Sequence, residues 1–282
     1  MRLLRLSLAT LGLAVLAAAA WVHADTPAAP QVTEMGRGPT IVFVHGLGAA
    51  RMDWMPTARK LISRYHVVLV DLPGHGTSAL PEPFSLEACA EQVDAILARQ
   101  KAESTIVVGQ GAGGLMALMA AQAHPDRTRG LFLIDTQIKS PVSLGDQDRV
   151  QLMRFMDDNY ASFTQMMFSR MGRDSVESAK LYAMMSAVPP VTVKAYIRAL
   201  ILVDANRAVK SLKAPPALVF TERTWKPGTS WGALAKQFGY EDSTVAVPRR
   251  IANAGFLVMK DQPDSLAAMI SEFATARIGA AR

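Results

Sequence analysis

The stretch Val107–Leu115, which reads V-V-G-Q-G-A-G-G-L, decides the fold. It starts with β-branched residues, passes through closely spaced glycines and continues into the helical pattern of Ala112–Ala123. β-Branched runs favour a buried strand, and glycine permits the sharp turn by which a strand enters a helix directly. We therefore predict a strand, a tight turn and a helix, with Gly111 at the centre of the turn.

The same alternation of apolar runs and helical patterns extends on both sides of this stretch. Runs that are apolar on both faces, separated by helices, predict a mainly parallel sheet covered by helices on both faces. Four strand-like runs come first, at Ile41–Val44, Val67–Val70, Thr105–Val108 and Leu131–Ile134. Later candidates are strands at Ala217–Phe220 and Ser243–Val247 and a closing helix at Asp264–Ala276.

Residues 140–203 interrupt the alternation, because they contain only helical patterns. An insertion of this length is too long for an ordinary loop. It leaves the carboxyl end of a strand, where such sheets bind ligands, and we predict that it forms a helical cap, or lid, over that edge. Seven of the fifteen methionines lie in it. They are compatible either with ordinary helix packing or with a deformable wall for a hydrophobic ligand.

The N-terminus has the pattern of a secretory signal peptide. Arg2 and Arg5 precede the apolar run Leu6–Ala20, and small residues precede Asp25. We predict a signal peptide over residues 1–24, export to the periplasm or medium, and no stable membrane span after cleavage. The alternative is an uncleaved N-terminal membrane anchor. Residues 25–38 are rich in Pro, Ala and Gly and are predicted to be a flexible lead-in.

The composition narrows the classes of function. The chain has 282 residues, 50% of them hydrophobic, which is enough for one large core. Cys89 is the only cysteine, so an intrachain disulfide is excluded. The net charge of +6 comes without a run of Lys or Arg, so we predict no nucleic-acid partner. The five histidines show no ligand spacing and no glycine loop precedes a lysine, so no metal and no cofactor are predicted.

Four motifs in order resemble the α/β-hydrolase family, in its small esterase, lipase and epoxide-hydrolase type. They are H-G-L-G at His45–Gly48, D-L-P-G-H-G-T-S at Asp71–Ser78, the elbow around Gly111, and Asn253–Phe256 followed by Asp261–Asp264. The resemblance extends from about Pro39 to Phe273. It implies an α/β-hydrolase core over residues 39–139 and 204–282, with the cap of residues 140–203 inserted after the sixth strand of the family.

The resemblance also implies where catalytic residues belong, and these positions are substituted. The nucleophile position is Gly111, the base position is Phe256, and the acid position is near Thr224. None of the three has the side chain that acyl transfer by a triad requires. Asp135 and Glu222 are candidates for a residual acid. We expect these positions to lie together beneath the cap.

From these substitutions we predict an exported, non-catalytic protein, a pseudoenzyme that binds a small apolar ligand or one bearing a carbonyl or carboxylate. The backbone amides of an oxyanion hole would hold that ligand. The predicted ligand-binding residues are His45, Gly46, Leu47, Gln110, Gly111, Ala112 and Phe256. One alternative is an active, serine-hydrolase-like carboxylic ester hydrolase with an unrecognised site. The other is a non-enzymatic scaffold or interaction protein, whose partner the sequence does not identify.

Overall fold

A computed structural model describes residues 30–140, 145–169, 171–243, 245 and 248–279. The predicted signal peptide, or anchor, at residues 1–24 lies outside these ranges. Within them, no helix is both long enough and apolar enough to cross a bilayer.

The centre of the fold is a seven-stranded sheet in the order β1-β3-β2-β4-β5-β6-β7. The strands are β1 (Val32–Met35), β2 (Thr40–Val44), β3 (His66–Val70), β4 (Thr105–Gln110), β5 (Leu131–Ile134), β6 (Ala217–Thr221) and β7 (Arg249–Ile251). Only β1 is antiparallel to its neighbour, and every other pairing is parallel. The predicted fold class, a mainly parallel α/β-hydrolase sheet, is therefore confirmed.

Helices cover both faces of the sheet because its strands are apolar on both faces. The helices of the core are α1 (Met55–Ala58), α2 (Leu86–Leu97), α3 (Ala112–Ala123), α8 (Asn206–Lys210), α9 (Trp231–Phe238), α10 (Val258–Asp261) and α11 (Pro263–Ile278). Val42 belongs to the apolar cluster that includes residues of α2, α3, α8 and α9, whereas its neighbours Ile41 and Phe43 belong to the cluster that includes residues of α1, α10 and α11. This alternation follows from the twofold period of a strand.

The described part of residues 140–203, which we call the cap, is helical. Its helices are α4 (Asp146–Asp158), α5 (Tyr160–Phe168), α6 (Ser175–Ser186) and α7 (Pro190–Leu200). They have an apolar cluster of their own, which includes Met156, Phe163 and Met185. Two of the methionines noted in the sequence thus pack between helices. The ends of the cap meet where Lys139 and Asp204 form an isolated antiparallel bridge.

The structure differs from the predictions at both edges of the sheet. Residues 32–35 lie in the predicted flexible lead-in, yet they form β1, because β3 offers a free edge with which they pair. The last strand of the sheet, β7, begins at Arg249, after the predicted strand Ser243–Val247. Of that earlier stretch, residues 244, 246 and 247 lie outside the described residues.

Candidate active site

The turn between β4 and α3 has the geometry of a nucleophile elbow. Gly111 links the two elements with φ +51° and ψ −120°, a conformation that side chains disfavour. A Cβ at Gly113 would lie 2.2 Å from the carbonyl oxygen of His45, so the turn also requires glycine at that position. At Gly111 a Cβ would meet only the Cα of Gly46, at 3.9 Å. The space beside Gly111 therefore admits additional atoms.

Gly111 lies on the wall of a cavity of about 310 Å³, which we call the elbow cavity. Its wall is mostly apolar and comes from the elbow, the ends of β5 and β6, and the cap. The lining residues are Leu47, Gln110, Gly111, Ala112, Asp135, Gln137, Met167, Phe168, Met171, Leu200, Val203, Arg223, Thr224, Phe238 and Phe256. Gly111, Thr224 and Phe256, the three substituted triad positions, are thus brought together, with Asp135 among them.

Asp135 is the only carboxylate among the described residues of this wall. It follows β5 with φ +42°, and its carboxylate accepts hydrogen bonds from the backbone N–H of Thr221 (3.0 Å) and from the Thr221 hydroxyl (2.6 Å). Burial raises the pKa of Asp135 above its ordinary value, while hydrogen bonds from Thr221 and Thr224 and the charge of Arg223 act in the opposite direction. A carboxylate in this environment is a stronger base than one in water.

Phe256, at the position of the base, is held in place by its backbone. Its N–H donates to the carbonyl oxygen of Met171 in the cap at 3.3 Å. Its own carbonyl oxygen accepts a hydrogen bond from the Gln110 side-chain amide. A Cβ on Gly46 would lie 3.0 Å from the Phe256 ring, so the ring packs directly against the loop that follows β2.

His45, predicted to bind ligand, is not among the residues that line the elbow cavity. His45 is fully buried, and its Nδ1 lies 2.8 Å from the carbonyl oxygen of Gly46. Its Nε2 lies 3.0 Å from the N–H of Leu72 and 3.5 Å from Asp71. Gly46 is not part of the cavity wall either, although its Cα lies close to Gly111. The ring of His45 therefore links the loop that follows β2 to the loop that follows β3.

His45 belongs to a largely buried cluster, the loop network, formed by His45, Arg51, Asp71, His75 and Ser78. The backbone N–H and the guanidinium of Arg51 both donate to Asp71. The N–H of Gly48 donates to Nε2 of His75 at 3.1 Å, and burial lowers the pKa of His75 to about 3. Burial alone would raise the pKa of Asp71, but His45 and Arg51 hold it below its ordinary value. These histidines support structure.

Glu222, the other candidate acid, faces a different space. Its carboxylate accepts a hydrogen bond from the N–H of Asn253 at 2.7 Å. It lines an open cleft of about 970 Å³ that adjoins the elbow cavity at Arg223, Thr224 and Phe238. Asp135 is therefore the candidate acid that the cavity contains.

Sequence analysis missed two residues of the site, Thr221 and Arg223. Their contacts with Asp135 depend on β5 and β6 being neighbours, although the whole cap separates these strands in sequence. Only a prediction of the strand order could have placed Thr221 and Arg223 next to Asp135. Met167 and Met171 line the cavity, as the interpretation of the methionines as a deformable wall requires.

Comparison with known proteins identifies the family. A family model described as alpha/beta hydrolase fold matches residues 39–242, and the chain therefore belongs to the α/β-hydrolase family. Solved structures of the same fold include a hydrolase from Oleispira antarctica (TM-score 0.70, 17% identity, covering 87% of this chain and 94% of that one). Another is an enol-lactonase from Burkholderia xenovorans (TM-score 0.68, 18% identity, covering 87% and 96%).

Curated relatives share more sequence over a shorter region. A pimeloyl-[acyl-carrier protein] methyl ester esterase from Aeromonas hydrophila is 40% identical over 105 residues, which are 36% of this chain and 40% of that protein. The enzyme of the same name from Chromobacterium violaceum is 38% identical over 105 residues, which are 37% and 40% of the two chains. The chain thus covers about two fifths of the length of these relatives.

These relatives contradict the prediction of a non-catalytic binder and pseudoenzyme, since both are named as esterases. The comparisons favour the alternative, an active carboxylic ester hydrolase with an unrecognised site. The wrong prediction rested on one assumption, that hydrolysis requires a side-chain nucleophile at the elbow.

Proposed function

We propose that this protein is a carboxylic ester hydrolase whose nucleophile is a water molecule held beside Gly111. The observation that carries the proposal is the shared position of Gly111, Ala112 and Asp135 on the wall of one small apolar cavity. Gly111 leaves space for the water, and Asp135 supplies a base in place of the absent histidine. The esterase names of the curated relatives support the reaction class.

The oxyanion would be held by backbone amides. Ala112 is the first residue of α3, so its N–H lies at a helix N-terminus, where the partial positive charge favours an anionic oxygen. Leu47 lines the cavity from the loop after β2, and in this proposal its backbone N–H is the second donor of the oxyanion hole. These two donors bind the carbonyl oxygen of the ester and stabilise the charge that develops on it.

The reaction then needs one proton acceptor. The water oxygen attacks the carbonyl carbon while Asp135 accepts one water proton, which gives a tetrahedral intermediate. Collapse of the intermediate breaks the bond to the alkoxy group, and the leaving oxygen takes that proton from Asp135. The products are one carboxylic acid and one alcohol, and the carboxylate of Asp135 is regenerated. Because burial raises the pKa of Asp135, the proton transfer is easier than to an exposed aspartate.

The cavity limits the size of the acyl group, and the alcohol part of the ester would extend into the adjoining cleft. The cavity volume of about 310 Å³ accommodates roughly ten non-hydrogen atoms at about 30 Å³ each. Apolar side chains such as Leu47, Met167, Phe168 and Leu200 form most of the wall and would bury an acyl chain. The proposed substrates are therefore esters of short to medium acyl chains.

The test is hydrolysis of p-nitrophenyl butyrate and hexanoate by the purified chain. We expect saturable turnover and a loss of about 100-fold or more in kcat for Asp135→Asn. Asp264→Asn, an exposed carboxylate at the start of α11, is the matched control and should retain full activity. Turnover that is unchanged in Asp135→Asn overturns the proposal.

A second measurement separates water attack from a hidden serine. A fluorophosphonate probe labels an activated serine covalently, so the intact mass of the active protein should not change on treatment. A stoichiometric adduct on any serine would show that hydrolysis uses a side-chain nucleophile that the geometry around Gly111 does not contain.

A further inference from the structure

A polar junction beside the elbow cavity attaches the cap to the core. The cap residue Met171 accepts a hydrogen bond from the N–H of Phe256 at 3.3 Å. Next to it, Arg173 lies 3.1 Å from the carboxylate of Asp261 in the core. The N–H of Gly255 donates to the other oxygen of Asp261 at 2.9 Å. The segment that forms part of the cavity wall is therefore held by charged groups.

Two buried carboxyl groups meet at this junction, Glu177 from α6 and Asp261 from α10. Arg173 contacts one oxygen of Glu177 with both its backbone N–H (2.7 Å) and its side-chain Nε (2.9 Å). The other oxygen, Oε1 of Glu177, is buried and has no hydrogen-bond donor among the described residues. The side chains of Glu177 and Asp261 are only 9% and 7% exposed. Both carboxyl groups border Gly255, where a Cβ would lie 2.9 Å from Oε1.

Two neighbouring carboxylates repel each other strongly when both are ionised, whereas a proton on Asp261 gives the bare Oε1 of Glu177 its donor. We infer that Asp261 holds a proton which it donates to Oε1 of Glu177, and that this carboxyl–carboxylate hydrogen bond fastens the cap to the core until rising pH removes the proton. With the proton present, the pair carries one negative charge, which Arg173 balances. Without it, the pair carries two.

The groups around Asp261 determine the direction of its pKa shift. Burial raises the pKa of Asp261, the neighbouring Glu177 raises it further, and the N–H of Gly255 and the charge of Arg173 act against the rise. Arg223 also faces Glu177, and Asp174 faces Arg173. Lys260, the residue before Asp261, is paired with Asp53. A group whose pKa is raised in the folded state stabilises the fold at low pH, and this contribution is lost as pH rises through the folded value.

Release of the pair would alter access to the cavity. Met171 lines the elbow cavity, and Gly172 and Arg173 line the adjoining cleft. Loss of this proton would replace the carboxyl–carboxylate hydrogen bond by repulsion between two charges, which Arg173 offsets only in part, so the wall would open more often. The inference concerns the cap alone and does not depend on the proposed hydrolysis.

Hydrogen exchange of the full chain across pH tests the inference. After correction for the intrinsic exchange rate, we expect protection of the Phe256 amide to fall by roughly tenfold or more as pH rises. In Glu177→Gln the side-chain amide donates to Asp261 at every pH, so protection should be high and independent of pH.

Two further variants make the result decisive. Asp261→Asn supplies a donor from the core side and should also remove the pH dependence. Asp264→Asn, at an exposed site, should retain the wild-type dependence. A wild-type profile without the fall would overturn the inference, and so would a fall of equal size in Glu177→Gln and Asp261→Asn. Thermal melts show whether each variant is folded. If only one of Glu177→Gln and Asp261→Asn folds, that variant alone tests the inference.

Discussion

The loop network and the elbow cavity lie side by side, but they shift the pKa of a buried carboxyl group in opposite directions. In the loop network, Asp71 has a partner for each oxygen, and its pKa lies below the ordinary value. In the elbow cavity, Gly111 and Phe256 carry no polar side chain, and the pKa of the remaining carboxyl, Asp135, is raised. One carboxylate is thus stabilised in its charged form and supports structure, while the other is kept basic. The contrast supports Asp135, rather than Asp71, as the proposed base.

The strongest test of this comparison uses two glycines of the same turn. Gly113→Ala places a Cβ 2.2 Å from the backbone oxygen of His45, where the loop network cannot yield, so we expect a loss of about 4 kcal/mol or more in the free energy of unfolding. Gly111→Ala meets open space and suffers only backbone strain of about 1–3 kcal/mol. Urea unfolding measures both. Equal losses would mean that the turn is not packed as described.

The next test compares the two aspartates at pH 7.5. Asp71→Asn leaves Arg51 and His45 without their charged partner, and we expect it to lower the free energy of unfolding by about 3 kcal/mol. Asp135→Asn removes a carboxylate whose ionisation the fold disfavours, so stability should be unchanged or higher. The stabilising contribution of Asp71 is lost as pH falls through its folded pKa, whereas that of Asp135 is lost as pH rises. Destabilisation of similar size in both variants at pH 7.5 would remove the distinction.

A smaller effect is expected from a hydroxyl at the elbow. Gly111→Ser adds atoms where the proposed water lies, and Phe256 offers no base to activate the new hydroxyl. We therefore expect kcat/KM for p-nitrophenyl butyrate to fall by about tenfold, with Gly111→Ala as the control for lost space. An increase in activity, together with labelling of the new serine by a fluorophosphonate, would contradict the proposal that the cavity activates water rather than a side-chain hydroxyl.

The smallest expected effect is a shift in the pH profile. The Thr221 hydroxyl lowers the pKa of Asp135, so its removal in Thr221→Val should raise that pKa. Asp135 must be ionised to act as a base, and the acid limb of kcat should therefore move to higher pH. Thr275→Val on α11 is the control, because its hydroxyl donates only to the backbone oxygen of Ser271. An acid limb that stays in place would argue against Asp135 as the base.

Much of the core could be predicted from sequence because burial on both faces leaves a continuous apolar pattern. The predicted runs Ile41–Val44 and Val67–Val70 differ from β2 and β3 by one residue each. The edges gave no such signal. Strand β7 has three residues, and its Arg249 and Arg250 are exposed, so only pairing with β6 defines it.

The candidate site could be predicted in part. Gly111 and Phe256 follow from motif order, and Asp135 from its position after a strand. Thr221 and Arg223 could not be assigned to Asp135 without the strand order. The function was predicted wrongly for a different reason. The absence of a side-chain nucleophile is visible in sequence, whereas a cavity that holds Asp135 beside Gly111 is a property of the fold.

The bridge between Lys139 and Asp204 has a consequence for how the protein can vary. The N–H of Ser140 donates to the carbonyl oxygen of Val203 at 2.9 Å, and the N–H of Ala205 donates to that of Ile138 at 2.7 Å. The chain segments that enter and leave the cap are thus hydrogen-bonded to each other at the surface of the core. Loop-closure entropy rises only slowly with length. An insertion whose two ends are hydrogen-bonded to each other can therefore be lengthened, shortened or replaced with little loss of stability. The elbow and Asp135 would stay in place, while each new inserted segment would change the part of the cavity wall that the cap provides.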